Sequence, residues 1–273
     1  MPELPEVQTV TNDLQILTGD IITGFWTNWP RAISTISPAT LEKKIKGKKI
    51  KSICRLSKFI VLNLNSEESL LIHLRMTGKL LVKSEKLKVK NKHLHHVFYL
   101  KKHGALEFHD IRKFATIKIV PTSEVKLENF KLGMDPLDKK FTPAYLKEIM
   151  AKRPNKSIKS LLLDQEMLSG IGNIYASEIL FNAGILPDRK AVSLSSPEIS
   201  TLCKSIKKIL IKAIQMRGTS VSDYRDGNGK KGSFQKVLKV YKKHGQKCHY
   251  CATMIEKSVI GQRSTFYCPT CQH

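Results

Sequence analysis

This chain of 273 residues lacks several features, and each absence excludes a class of protein. No uninterrupted apolar run approaches the roughly 18 residues that a membrane span needs. The nineteen residues before Asp20 hold three acids and no base, so neither a secretory signal nor a transit peptide is expected there. Before position 248 the only cysteines are Cys54 and Cys203, which argues against a disulfide-stapled secreted scaffold. Internal repeats and long low-complexity tracts are missing, so a disordered tail is a poor fit. Acids are the last shortage: 23 Asp and Glu face 47 Lys and Arg. The remaining composition, 41% apolar and 26% charged, is that of a globular protein, and the length suits two domains.

The shortage of acids leaves a formal charge of +24. A surplus of this size favours a polyanionic partner, because each cation placed near a phosphate releases condensed counterions. An anionic membrane surface and a generally lysine-rich composition are the alternatives. Residues 201–250 hold 13 bases against 2 acids, and that concentration favours nucleic acid.

Hydrophobic spacing divides the chain. Val7, Val10, Leu14 and Leu17 recur at helical spacing, with Gly19 as a stop. From about 50 to 120 the runs KFIVLNL, LLIHLRM, HHVFYL, ALEFHDI and FATIKIV predict short antiparallel strands in a sandwich. Residues 121–142 lose periodicity, and a domain boundary is expected there. Helices then follow: one opened by Thr142 and Pro143, a second over KSIKSLLLDQEML, a third over NIYASEILFNAG ending at Gly184, and a long one from Ser196. Residues 217–233 contain four glycines and are expected to form a mobile loop. The expected class is α+β: an N-terminal β-sandwich over 1–131, helices over 132–236 and a terminal segment over 237–273.

Cys248, Cys251, Cys268 and Cys271 form a C-x2-C pair, sixteen intervening residues and a second C-x2-C pair. That spacing fits a four-thiolate zinc ribbon, with disulfides as the alternative. Four thiolates leave no open coordination position, so one structural zinc is expected. Cys54 and Cys203 read as core residues. Arg263, between two strands held by the metal, is either an ordinary solvated side chain or a rigid cation placed to enter a groove.

The start, Met-Pro-Glu-Leu-Pro-Glu, has chemical potential. Removal of Met1 exposes the secondary amine of Pro2. An α-amino group has a reference pKa of about 7.7–8.0, so a useful fraction is neutral at pH 7. Attack on an aldehyde or hemiacetal carbon gives an iminium ion, and Glu3 and Glu6 are near enough in sequence to serve as acid or base. Taken alone, a frayed terminus explains the same residues.

Together with MPELPEV, four further segments carry a resemblance: LSKFIVLNL with HLRMTGKL, HDIRKFA, LLLDQEMLSGIGNIYASEILFNAGILPDR and QRSTFYCPTCQ. In this order, over essentially the whole chain, they resemble the bacterial formamidopyrimidine-DNA glycosylase family, which excises oxidised purines such as 8-oxoguanine. The resemblance implies a bilobal protein with a helix–two-turn–helix domain and a zinc finger. Pro2 would be the Schiff-base nucleophile, Glu3 the acid that opens the sugar, Lys58 the assistant in β-elimination and Arg263 the residue of δ-elimination. A lesion base must leave the duplex before it can be attacked, and the hole needs filling. Met76, Arg112 and Phe114 match the residues that fill it, with Arg112 facing the orphaned cytosine. Lys159 and Asn173 match phosphate-binding positions, and His73, His93, Arg153 and Tyr241 are further expected DNA contacts. The backbone amides of 170–173 suit a phosphate oxygen, and loop 217–233 aligns with the segment that closes over the everted purine.

Three positions depart from the family pattern: Ala115 where glycine is usual, Gln8 where glutamate is common, and Pro154 in a stretch where the family carries extra basic residues. The expected partner is duplex DNA holding oxidised purines or abasic sites, the expected state a monomer, and the expected location the bacterial cytoplasm. Two alternatives stand beside this reading. One is a sister activity on oxidised pyrimidines, against which the separated trio Met76, Arg112 and Phe114 argues. The other is a zinc-containing DNA-binding protein without catalysis, against which Pro2, Glu3 and Lys58 argue.

Overall fold

The computed structural model describes residues 1–34, 36–83, 91–126, 128–221 and 223–273. Its fold is α+β, and the chain forms two compact units: Met1–Asn129 with Met216–Gln235, and Phe130–Gln215 with Lys236–His273.

The first unit opens on helix α1 (Leu4–Asp13), which has Glu3 as N-cap and a proline in its first turn. The Glu3 backbone N–H donates to Glu6 Oε2 at 2.8 Å, satisfying one of the orphan donors of a helix start. A 3-10 turn over Leu14–Leu17 follows. Gly19, at φ +87°, then turns the chain so that its N–H reaches Ile50 O.

Two antiparallel four-stranded sheets come next. One runs in the order β1 (Ile22–Thr27), β6 (Leu94–Leu100), β7 (Ala105–Asp110), β5 (Gly78–Lys83). The other runs β2 (Ile50–Leu56), β3 (Phe59–Leu64), β4 (Glu68–His73), β8 (Thr116–Pro121). Alternate residues point inward, so Ile60, Leu62, Leu70, Ile72 and Ile117 share one core with Leu80, Phe98, Leu106 and Phe108. Val7, Val10, Leu14 and Leu17 of the opening segment join that core, as their spacing predicts. Full burial of each such side chain contributes about 1.5–3 kcal/mol.

Strands β1, β2 and β5 and the short helix α2 (Pro38–Ile45) do not emerge from the hydrophobic pattern. All three strands lie at sheet edges, where half of the backbone and much of the side-chain surface face outward. The same alternation corrects the reading of Cys54. Ile53 points into the core, so its neighbour Cys54 is exposed, whereas Cys203 is buried as expected.

The second unit holds helices α3 (Pro143–Ala151), α4 (Ile158–Leu163), α5 (Asn173–Ala183) and α6 (Ser196–Gln215). Thr142 caps α3 through Tyr145 N–H, and Gly184, at φ +71°, ends α5 in a left-handed turn. Helix α4 is shorter than its sequence pattern predicts. Asp164 turns the chain by accepting from Glu166 N–H at 3.1 Å, and Gln165 then accepts from Gly170 N–H and donates to Ile171 O. A hairpin of β9 (Glu256–Ile260) and β10 (Arg263–Tyr267) completes this unit.

Residues 216–235, expected with the helices, belong with the first unit. Their polar groups find partners there. Arg217 pairs with Asp13 and Asp226, each at 2.6 Å, and Gly227 N–H donates to Asp13 at 3.0 Å. Four glycines therefore build a hydrogen-bonded turn around buried Asp226 in the described part of this loop; Ser222 lies outside the described residues.

Candidate active site and metal centre

The amino-terminal corner of the first unit places Pro2, Glu3 and Glu6 out of solvent, while Met1 stays 46% exposed. Glu6, a candidate acid or base by sequence, serves as a clamp. Its Oε2 accepts from Glu3 N–H at 2.8 Å and its Oε1 from Thr219 N–H at 2.7 Å. Gly218 makes that approach possible. It sits at φ +79°, and a Cβ there would lie 2.8 Å from Glu6 Oε1. Nothing local in the sequence signals this clamp, because its two ends are 213 residues apart.

Lys58 is buried in the turn between β2 and β3, after Ser57 at φ +55°. Arg55 ties that turn to α1, donating from Nη1 to Ser57 O at 3.0 Å and from Nε to Gln8 Oε1 at 2.8 Å. Gln8 thus provides the acceptor that a glutamate would provide, without its charge. His73 faces Phe59 across the strands, edge to face at 4.9 Å. Burial, with the charges of Arg75 and Lys58, drives its pKa down to about 3, so the ring is neutral. Because Nδ1 accepts from Arg75 N–H at 2.9 Å, the ring proton belongs on Nε2.

Met76, Arg112 and Phe114 come together on two adjoining turns. Arg112 Nη1 lies 3.1 Å from Met76 Sδ, and its guanidinium carbon lies 5.2 Å from the Phe114 ring centre. Met76 and Phe114 are 41% and 52% exposed, so both can meet a partner without unfolding the turns that carry them. Asp110 fixes both turns. One oxygen accepts from Thr77 Oγ1 and from Arg112 N–H, the other from Ala115 N–H at 2.8 Å. The left-handed residue of this loop is Lys113, at φ +58°, so alanine at 115 carries no backbone strain. Met1, Met76 and Phe114 line the same open hollow of about 590 Å³, which brings the amino-terminal end beside two of the three exposed residues. His93 lines a smaller cavity of about 180 Å³ with Lys79 and Arg225.

In the second unit the Sγ atoms of Cys248, Cys251, Cys268 and Cys271 all lie within 4.8 Å of one another. Cys248 and Cys271 are 3.8 Å apart, Cys251 and Cys268 3.4 Å. A tetrahedral zinc with bonds of about 2.3 Å sets sulfurs about 3.8 Å apart, so the four thiols fit one structural zinc.

The hairpin beside them turns through Gly261 and Gln262, both at positive φ, the tight two-residue turn that matches strand twist. Arg263, exposed, follows immediately. Two side chains brace its strand: Lys159 Nζ donates to Ser264 O at 3.1 Å and Thr265 Oγ1 at 2.6 Å, and Asn173 Nδ2 donates to Ser264 O at 2.9 Å. Lys159 is wholly buried, and its ammonium group braces β10 from beneath. Asn173 opens α5, and its buried Oδ1 has no hydrogen-bond partner among the described residues. Arg153 is held by Asp164 and Glu166, at 3.5 and 3.3 Å. Tyr241 donates its N–H to Glu178 and sets its ring edge to face on Phe266 at 5.4 Å. Glu178 falls in the segment GIGNIYASE, where sequence reasoning gives it no role. Buried in α5, it accepts the N–H groups of Lys239, Val240 and Tyr241 at 2.8, 3.0 and 2.8 Å.

Comparison with known proteins covers both units. Residues 1–117 match the model of the formamidopyrimidine-DNA glycosylase N-terminal domain, and residues 132–225 that of the formamidopyrimidine-DNA glycosylase H2TH domain. Residues 245–273 match a zinc finger found in FPG and IleRS. The formamidopyrimidine-DNA glycosylase of Carboxydothermus hydrogenoformans is 43% identical over 276 residues, covering all of both chains. The Lactococcus lactis Fpg in complex with DNA containing an abasic site superposes with a TM-score of 0.91 at 34% identity, over 99% of each chain. The same enzyme with Fapy-dG DNA gives a TM-score of 0.90 at 34% identity, over 99% of this chain and all of that one. Among the described residues no helix is long and apolar enough to cross a membrane.

Proposed function

The chain belongs to the formamidopyrimidine-DNA glycosylase family of damaged-DNA-binding glycosylases, and on that premise we propose that it excises oxidised purines from duplex DNA and cleaves the resulting abasic site. The observation that carries this reading is the amino-terminal corner: Pro2 and Glu3 buried at the start of α1, Met1 exposed, and the hollow beside it edged by Met76 and Phe114.

With Met1 removed, the Pro2 nitrogen lone pair forms a bond to C1′ of the everted nucleotide. The glycosidic C–N bond breaks and the base leaves with a proton. Glu3 protonates the ring oxygen as the sugar opens, leaving an iminium between Pro2 and C1′. Loss of a C2′ proton expels the 3′ phosphate with assistance from Lys58, a second elimination at Arg263 expels the 5′ phosphate, and water releases the product from Pro2.

Met76 and Phe114 fill the vacated stack, with Arg112 toward the orphaned base. Neutral His73 offers its Nε2–H to a phosphate oxygen. Asn173, His93, Arg153 and Tyr241 add backbone contacts, and the zinc keeps the Arg263 turn rigid. The unit of residues 1–129 with 216–235 is then the catalytic module, and the second unit carries the helices and, over 237–273, the zinc finger, in a cytoplasmic monomer.

Borohydride reduction traps an iminium as a stable amine. A duplex with one 8-oxoguanine opposite cytosine should give an adduct that maps to Pro2. Preferential trapping on a dihydrouracil duplex would move the substrate to oxidised pyrimidines. Tight binding to both without an adduct would mean a protein that binds but does not cut. An enzyme verified by mass to retain Met1 should bind an abasic analogue and lack lyase turnover.

A further inference from the structure

Besides Met1, Met76 and Phe114, the hollow has a second wall that the proposed chemistry leaves unused: Trp29, Arg31 and Lys113. Trp29 is partly exposed, and two cations attend its ring. Lys113 Nζ lies 4.3 Å and the Arg31 guanidinium 5.5 Å from its centre. Lys113 reaches it from between Arg112 and Phe114, in the left-handed backbone conformation that the Asp110 turn imposes. Arg75, also at positive φ, adds a third cation to the lining. Among the described residues lining the hollow none is acidic. An indole surrounded by lysine and arginine, open to solvent and free of competing carboxylates, suits a base and its phosphate.

We propose that Trp29, Arg31 and Lys113 form a stacking subsite for an unpaired nucleotide of the undamaged strand, next to the orphaned base. The assignment to that strand rests on the reading above, in which Arg112 and Phe114, the sequence neighbours of Lys113, face the orphaned side. Magnitudes favour the exchange. Each exposed cation–π contact is worth about two- to fivefold in an equilibrium constant, whereas a base stacked on an aromatic ring is worth about 5- to 150-fold. Lys113 and Arg31 leave the ring and gain a phosphate. The substrate class implied is lesion-bearing DNA with a bulged or unpaired nucleotide opposite, as well as the fully paired duplex.

The test measures dissociation constants for two duplexes carrying the same abasic analogue, one fully paired and one with a single extra nucleotide in the opposite strand. Trp29→Leu should weaken binding to the bulged duplex by about tenfold or more and leave the paired duplex nearly unchanged, and Trp29→Phe should restore most of the loss. Only Trp26 and Trp29 are tryptophans, so in a Trp26→Phe background the fluorescence reports Trp29 alone. It should be quenched by the bulged duplex and not by the paired one. Equal effects of Trp29→Leu on both duplexes, or unchanged fluorescence, would overturn the subsite while leaving the DNA-repair reading intact. Failure of the unaltered protein to bind even the paired duplex would overturn both.

Discussion

His73 shows how one buried ring makes stability depend on pH. An unfolded imidazole titrates near 6.5, and in the folded chain burial and two nearby cations bring it to about 3. Between those values the unfolded chain binds a proton that the folded chain refuses, so stability rises with pH. The contribution is complete above the unfolded pKa and is lost as pH falls toward 3. One such group gives a slope of up to about 1.4 kcal/mol per pH unit. His96, brought to about 4 by burial and His95, acts with the same sign. Urea midpoints at pH 4, 5 and 6 should therefore climb less steeply in His73→Gln than in the unaltered protein; parallel slopes would exclude His73 as a source. Gly218 supplies a second test. Alanine there costs about 1–2 kcal/mol for its left-handed backbone and must also push Glu6 from Thr219. Gly218→Ala should lower the urea midpoint, whereas Gly47→Ala, at positive φ with nothing within 4 Å, should show the backbone cost alone. The heptapeptide MPELPEV points to Pro2 and Glu3, but the role of Glu6 is set by a partner more than two hundred residues away. No local pattern encodes such a partner.

At the scale of elements, the core strands are legible because their alternation is what burial on one face requires. Strands β1 and β2 escape notice because they bury only every third residue, and β5 because it buries only Gly78 and Leu80, whereas β8, also an edge, keeps the alternation. Helix α4 reads too long because KSIKSLLLDQEML keeps a helical apolar spacing past the point where Asp164 takes over the backbone donors. The zinc element is the reverse case, since four cysteines at fixed spacing fix both ligands and geometry. Cys271→Ser should bring bound zinc from one per chain toward zero and weaken DNA binding by more than about tenfold, because metal affinity is folding energy in so small an element. Retained stoichiometry would show that three thiolates suffice. Glu178 joins α5 to the segment before the finger. Burial pushes its carboxyl up, while the N–H groups of Tyr241, Val240 and Lys239 pull it down. Glu178→Gln sets an amide against three donors and should cost about 1–3 kcal/mol in denaturant unfolding, even though no charge is exposed to solvent.

For the whole molecule the charge of +24 admits two physical meanings, and salt separates them. If the surplus merely reflects a lysine-rich composition, few cations meet phosphates and affinity for an abasic-analogue duplex changes little with ionic strength. If the surplus lies at the interface, each neutralised phosphate releases about 0.9 counterion, and log affinity falls linearly against log salt. Six to ten contacts would reduce affinity by about 10³- to 10⁵-fold between 50 and 200 mM. The steep line is expected, because the residues proposed here as backbone contacts sit in both units. Individual substitutions should then sort by class. Arg263→Ala removes a cation from an exposed turn and should reduce the slope by about one. Phe114→Ala removes a wedge without charge, so its line should shift downward and stay parallel. Lys159, matched by resemblance to a phosphate position yet buried beneath β10, is sorted the same way: an unchanged slope in Lys159→Met marks a strut, and a slope reduced by about one marks a phosphate contact.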